Sequence, residues 1–398
     1  MRFVEGGRGN GRYTAPFLEL LDERHAVYAG VGTPAVVRMR GAVLLALGDR
    51  MLPTAALPFV LEELESPHDP WLTAVAARVL RHHPEPSASF VEPLLMAVAS
   101  IRHRDDAVRL ETYGGYGGNG EPTTATAETL RTLAWLGRVA EPALPRLVEW
   151  RAHQPGPIFA GLLDETIAAI RAGAARSTVA TTCCDRRSAV VPLRAEPSRE
   201  VRELLLQDQS GETLTFDELF VGRPSIVVFF YTRCDNPGKC PATIARLGRL
   251  QERLRTAGLD GEIRSAAITY DPAYDVPHRL RQYASAWGVS TGEGHRLLRT
   301  VGDFAPLQAF FDLGVGYGNS RLVNRHQLQA FVLDPTGAIA GTVARTAWDE
   351  ADLLAAADRE RGAQPMTSGT TSQHHAATIT AASRSSSTPV RAMRGSET

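Results

Sequence analysis

The chain has 398 residues, 43% of them hydrophobic and 22% charged, with a formal net charge of −1. That length exceeds one ordinary core, so two or more domains of a soluble globular protein are expected. The near-neutral balance gives no electrostatic case for nucleic acid or an anionic membrane surface. No run of 18 apolar residues is present, and "MRFVEGGRGNGRYTAPFLELL" lacks the basic start, apolar centre and cleavage site of a signal peptide. A cytoplasmic protein with reduced thiols is therefore expected from the chain as written.

Residues 14–174 read as helices. Apolar residues recur at helical spacing over 34–48, 55–65, 70–83 and 90–101. Pro34 and Pro70 stand at helix starts, where a missing N–H costs nothing. Residues 44–64, "LLALGDRMLPTAALPFVLEEL", resemble residues 133–150, "LAWLGRVAEPALPRLVEW". Both run apolar helix, Leu-Gly, short turn, Ala-Leu-Pro, apolar helix, as stacked helical hairpins do. The segment loosely resembles the HEAT-repeat family. "ETYGGYGGNGEPTT" (111–124) matches no phosphate-loop or dinucleotide spacing and is expected to be a flexible insertion.

Residues 175–199 lose periodicity and read as a linker carrying Cys183 and Cys184. From 200 the pattern changes to strands alternating with helices. "RELLLQDQSGETLTFDEL" predicts a hairpin turning at Ser210–Gly211. "PSIVVFFYT" (224–232) is a continuous apolar run, as a central strand buried on both faces requires. An amphipathic helix follows over 240–258, a strand over 263–270 and a helix over 277–288. Residues 328–344 predict strand, Pro-Thr-Gly turn and strand, and 348–362 a last helix with acidic residues near its start. The tail, 362–398, has few apolar anchors and is expected to be disordered.

The chemistry concentrates in "YTRCDNPGKCP" (231–241), where Cys234 and Cys240 flank a loop between a buried strand and a helix. Thiols beside a helix N-terminus gain thiolate character, which suits both soft-metal binding and disulfide exchange. Lys239, the only lysine in the chain, lies between them, and its ammonium would favour a thiolate. The remaining basic residues are arginine, a bias that reflects a GC-rich genome.

Three separated motifs make residues 200–361 similar to the SCO/SenC family of thioredoxin-fold copper proteins. They are "FFYTRC…CP" (229–241), "TYDPAYDVPHRLRQYASAWG" (269–288) and "VNRHQLQAFVLDPTG" (323–337). The resemblance implies a copper site, Cu(I) or Cu(II), held by Cys234, Cys240 and His326. It also implies supporting roles for Asp271 and Asp275, as ligand-orienting or partner-contacting carboxylates, with a loop turn and helix cap as the plainer alternative. Family members usually carry an N-terminal membrane anchor and face the periplasm or extracellular side, and their motif has three residues between the cysteines where this chain has five.

The fold expected is thus an N-terminal all-α, HEAT-like repeat (14–174) joined to a C-terminal α/β thioredoxin-like domain (200–361). The leading function is a copper metallochaperone of bacterial type. It would deliver its ion to a partner such as a cytochrome c oxidase subunit, with a protein partner on the helical repeats. The alternative is a thiol–disulfide oxidoreductase in which Cys234 attacks and Cys240 resolves. A third reading is an interaction scaffold acting through the repeats. Cys183–Cys184 reads either as a transient metal or resolving pair or as two exposed thiols. His82–His83 and His374–His375 read as incidental.

Overall fold

The computed structural model describes residues 14–362, except 50, 112, 114–119, 154, 174–189, 320 and 346. Cys183, Cys184, most of the glycine-rich insertion and the C-terminal tail therefore lie outside the described residues. The described residues all fall within one compact unit.

The N-terminal half is helical. After a short α1 (Thr14–Glu19) come α2 (Thr33–Gly48), α3 (Leu57–Glu65), α4 (Pro70–Leu80), α5 (Val91–Ile101), α6 (Ala125–Leu136), α7 (Leu144–Ala152) and α8 (Pro157–Ala172). Helices α2, α4, α6 and α8 pack in one row, with α3, α5 and α7 against them. The two similar sequence segments have the same local form. In each, a 3-10 turn ends on alanine (Thr54–Ala56, Gly137–Ala143), and a Leu-Pro pair opens the next helix. Proline fits there because the first helical N–H groups have no intrahelical acceptor. One continuous apolar core, from Leu21 to Ile170, fills the space between the rows.

The C-terminal half is a mixed sheet with helices on its faces. Its strands are β1 (Val191–Ala195), β2 (Leu205–Asp208), β3 (Thr213–Thr215), β4 (Ser225–Phe230), β5 (Arg264–Thr269), β6 (His295–Thr300), β9 (Gln329–Leu333) and β10 (Ile339–Ala344), in the order β1-β10-β9-β4-β5-β6-β2-β3. A separate two-stranded ribbon pairs β7 (Val315–Tyr317) with β8 (Val323–His326). Every residue of β4 is buried, as its unbroken apolar run requires of a strand covered on both faces. Two short helices, α9 (Arg199–Arg202) and α10 (Phe216–Phe220), precede β4. Between parallel β4 and β5 runs α11 (Cys240–Thr256), and after β5 comes α12 (Pro277–Ala286). The short α13 (Ala305–Phe310) follows β6, and α14 (Glu350–Gly362) follows the β9–β10 hairpin. The inner order β5-β4-β9-β10, with these crossovers, is a thioredoxin-like arrangement. Two apolar clusters cover its faces. One lies beneath α11, α12 and α14; the other is built around Phe216, Phe220, Phe229, Phe311 and Phe331.

Some elements differ from their sequence-based expectation. The strand β1 lies inside the stretch read as linker and pairs antiparallel with β10. The strand β6 and the β7–β8 ribbon lie in a region given no element, because their polar and glycine residues interrupt any period-2 signal.

Candidate metal centre

The site is assembled from two separate parts of the sheet half. The chain leaves β4, turns through Thr232 and Arg233, and delivers Cys234 beyond the strand end; after a loop of five residues Cys240 opens α11. The third group, His326, ends β8. Its Nε2 lies 3.2 Å from Cys240 Sγ and 3.8 Å from Cys234 Sγ. The three donor atoms lie within 4.8 Å of one another, and both cysteines are free thiols. Taking zinc's metal–ligand distances as a guide, a site of two sulfurs and one nitrogen would show sulfur–nitrogen edges of about 3.6–3.8 Å. One observed edge meets that range and the other is a few tenths of an ångström shorter, so the donor set fits a soft ion with only small side-chain adjustments.

Each donor is held from behind. The imidazole of His326 stands edge-on to Tyr231, with centroids 5.3 Å apart, and tilted against Tyr270 at 5.6 Å. The turn carrying Cys234 is pinned by Asp275, which accepts from Thr232 N at 3.1 Å and from the hydroxyls of Thr232 and Thr269. Burial raises the Asp275 carboxyl above its ordinary value, against these hydrogen bonds. Asp271 instead pairs with Arg233, whose guanidinium lies 4.0 Å over the Tyr274 ring. Neither aspartate belongs to the group of converging donors.

The two sulfurs are unequal. The Cys240 thiol, hydrogen-bonded to Cys234 Sγ, brings the Cys234 thiol down to about 3 against burial, with the nearby imidazole assisting. Burial drives the Cys240 thiol up, and its bond to the Cys234 thiolate adds to that. Burial dominates at Cys240, whereas hydrogen bonding overcomes it at Cys234, so Cys234 is the readier thiolate.

The lysine between the cysteines acts against burial on the Cys240 thiol, and it has a second role besides. Lys239 is buried; its Nζ donates to Glu62 Oε1 of α3 at 2.7 Å and to the carbonyl of His326 at 2.5 Å. It is one cation of a buried ionic cluster joining the helical half to the sheet half. Arg325 meets Glu63 at 2.6 Å and Glu62 at 3.3 Å, and Arg345 meets Glu23 at 2.6 Å and Glu62 at 2.9 Å. Burial alone would raise the Glu62 carboxyl, but Lys239, Arg325 and Arg345 hold it far below its ordinary range. Polar contacts extend the seam. Asn236 donates to Ser66 O at 2.9 Å, and Asn324 donates to Tyr28 O and Val31 O at 2.9 and 2.8 Å.

The family model described as SCO1/SenC matches residues 194–360. This segment is an SCO1/SenC domain. Over 87 residues the chain is 34% identical to a "Putative copper-binding protein" of Stutzerimonas stutzeri, 22% of this chain and 41% of that one. The chain thus spans about two fifths of the length of the curated relative it matches. Among solved structures, BsSco, a member of the Sco family of cytochrome c oxidase assembly proteins, is 20% identical, with a TM-score of 0.37 over 44% of this chain and 98% of its own. The SCO1/SenC family lipoprotein of Bacillus anthracis is 18% identical, with a TM-score of 0.36 over 42% and 96%. Bradyrhizobium japonicum ScoI, solved with copper bound, is 21% identical, with a TM-score of 0.30 over 39% and 96%. Among the described residues, no helix is long and apolar enough to cross a membrane.

Sequence reasoning named Cys234, Cys240 and His326, and the SCO1/SenC domain brings these three together. It missed the helical residues behind them, Glu23, Glu62 and Glu63, because nothing local marks a carboxylate as buried. One signal was available. A single lysine in an arginine-only background, placed between two cysteines, asks for a particular partner.

Proposed function

We propose that the SCO1/SenC domain binds one copper ion through Cys234, Cys240 and His326, and that the chain holds this ion for transfer to another protein. The observation that carries the reading is the convergence of two sulfurs and one imidazole nitrogen within 4.8 Å, the imidazole coming from 86 positions beyond the nearer cysteine. Thiolate and imidazole together suit copper, and the thiolates favour Cu(I). The recipient implied by the family resemblance is the copper site of cytochrome c oxidase. The test is metal analysis and absorption spectroscopy of the reduced full-length protein. One equivalent of copper and sulfur-to-copper charge-transfer bands with Cu(II) are expected, both lost in His326→Ala. A reduced wild-type protein that takes up no copper overturns the reading. Mixing the loaded protein with an apo oxidase copper domain tests the recipient separately.

A second reading, thiol–disulfide exchange, is favoured by the unequal sulfurs. A ready thiolate at Cys234 next to a protonated Cys240 suits attack by the first and resolution by the second. His326→Ala separates the two readings: it should abolish copper binding while leaving disulfide exchange in place.

A further inference from the structure

The helical half covers the face of the SCO1/SenC domain where the three donors meet. His326 is 6% exposed, Cys240 1% and Cys234 9%. The loop joining α3 to α4 lies on the cysteine loop. Ser66 O accepts from Asn236, and a Cβ added at Gly238 would come within 3.0 Å of Ser66 Cα. What remains is a cleft of about 160 Å³ between the halves, lined on the sheet side by Tyr231, Cys234, Asp235 and His326 and on the helical side by His68 and Asp69. At about 30 Å³ per water, that space holds roughly five waters. It admits an ion with a small ligand.

His68 stands in this cleft with one nitrogen engaged and one free. Its Nε2 is 3.4 Å from Asp235 Oδ2. Its Nδ1 is shielded from solvent and has no hydrogen-bond partner among the described residues. A buried ring nitrogen without a partner is costly and asks for a function. The carboxylate of Asp235, 3.4 Å from Nε2, favours the proton on that nitrogen and so leaves the lone pair on Nδ1. Asp69 is otherwise occupied, capping α4 by accepting from Leu72 N at 2.9 Å.

We propose that the cleft is the inlet of the metal centre, and that His68 is a transient ligand that takes Cu(I) from a small thiol or imidazole complex and passes it to Cys234. This rests on the copper reading above. The transfer is two ligand exchanges, and in the first the bond from the ion to the carrier's sulfur or nitrogen breaks as the bond to His68 Nδ1 forms, the freed carrier leaving to solvent. In the second, the bond from the ion to His68 Nδ1 breaks as the bond to Cys234 Sγ forms, and copper stays monovalent, so no electron moves. Cys234 is the cysteine that lines the cleft, so its sulfur is the first of the three donors an entering ion meets. Cys240 and His326, which lie with Cys234 inside the group of converging donors, then complete the set. The helical half thereby supplies a ligand on the route by which copper arrives as a small complex.

The test is the anaerobic rate of Cu(I) uptake by the reduced full-length protein from a Cu(I)–imidazole complex, with His68→Gln and His68→Met compared to wild type. Gln keeps the polar shape but is a poor copper ligand, whereas Met is a soft ligand without the hydrogen bond. His68→Gln should slow uptake by about tenfold or more, with final stoichiometry and equilibrium affinity unchanged. His68→Met should recover the rate to within about threefold. Uptake by His68→Gln at the wild-type rate overturns the inlet, as does a pattern in which Gln restores function and Met does not, since that is a structural role. If the wild-type protein takes up no Cu(I), the copper reading fails, and this inference with it.

Discussion

Replacing Glu62 by Gln would remove one negative charge from the buried seam between the halves while keeping the side chain's shape. Glu62 is 1% exposed and meets three cations: Lys239 at 2.7 Å, Arg345 at 2.9 Å and Arg325 at 3.3 Å. The two guanidiniums keep a second carboxylate each, Glu63 for Arg325 and Glu23 for Arg345, both at 2.6 Å. Lys239 pairs with no second carboxylate among the described residues and would retain only the carbonyl of His326. One buried ammonium is thus left without a counter-charge. Breaking one side of a buried pair costs about 3–5 kcal/mol, and with the arginines still paired the lower end, about 3 kcal/mol, is expected. Lys239→Met leaves Glu62 with two guanidiniums and should cost less, about 1–2 kcal/mol. The double variant should be less unstable than the sum of the singles by about 2 kcal/mol. Urea is the suitable denaturant, because it leaves ion pairs unscreened, with circular dichroism as the readout. The pH dependence has a definite sign. The folded-state Glu62 carboxyl lies below its ordinary 4.5, so its contribution is complete above 4.5 and is lost as pH falls through the folded value. Wild type should therefore lose stability on acidification below 4.5 more steeply than Glu62→Gln. A loss under about 1 kcal/mol in Glu62→Gln, or strict additivity in the double variant, would refute a desolvated, load-sharing cluster.

Further outcomes follow from the unequal sulfurs and from the aspartate behind them. In reduced, metal-free protein at about pH 5, iodoacetamide should modify Cys234 and spare Cys240, because only a thiolate attacks; peptide mass spectrometry reads the ratio, and equal labelling would contradict the assigned ionisation. Asp275→Ala removes the acceptor for Thr232 N and two threonine hydroxyls. It should cost about 1–3 kcal/mol in urea unfolding through the unsatisfied buried donors. It should also weaken copper binding by about tenfold through the loosened Cys234 turn, and unchanged affinity would show that the turn holds its geometry without Asp275.

Legibility in the sequence followed the range of the interactions. The helix starts at Pro34 and Pro70, the unbroken run of β4 and the Asp334 turn are set by neighbours a few residues away, and each was readable. The polar strand β6 was not, since it lies inside the sheet between β5 and β2 and is stabilised by pairing with both. The ribbon that carries His326 was invisible for the same reason, although the histidine itself was found through its motif. The acidic stretch Glu62, Glu63, Glu65 in α3 looks like an exposed helix face, yet all three are buried. What makes that tolerable for Glu62 and Glu63 is Lys239, 177 residues from Glu62, and Arg325, 262 residues from Glu63.

By itself the sequence determined the local grammar: which segments coil, which extend, where they turn, and that two thiols flank the mouth of one helix. These are properties of short windows, governed by backbone sterics and side-chain periodicity. The tertiary structure alone decided that the helical half covers those thiols, that the single lysine also meets a carboxylate of α3, and that His68 stands at the remaining opening. The physical reason is that charge pairing and burial depend on distance in space, and residues separated by hundreds of positions acquire those distances only when the chain has closed on itself.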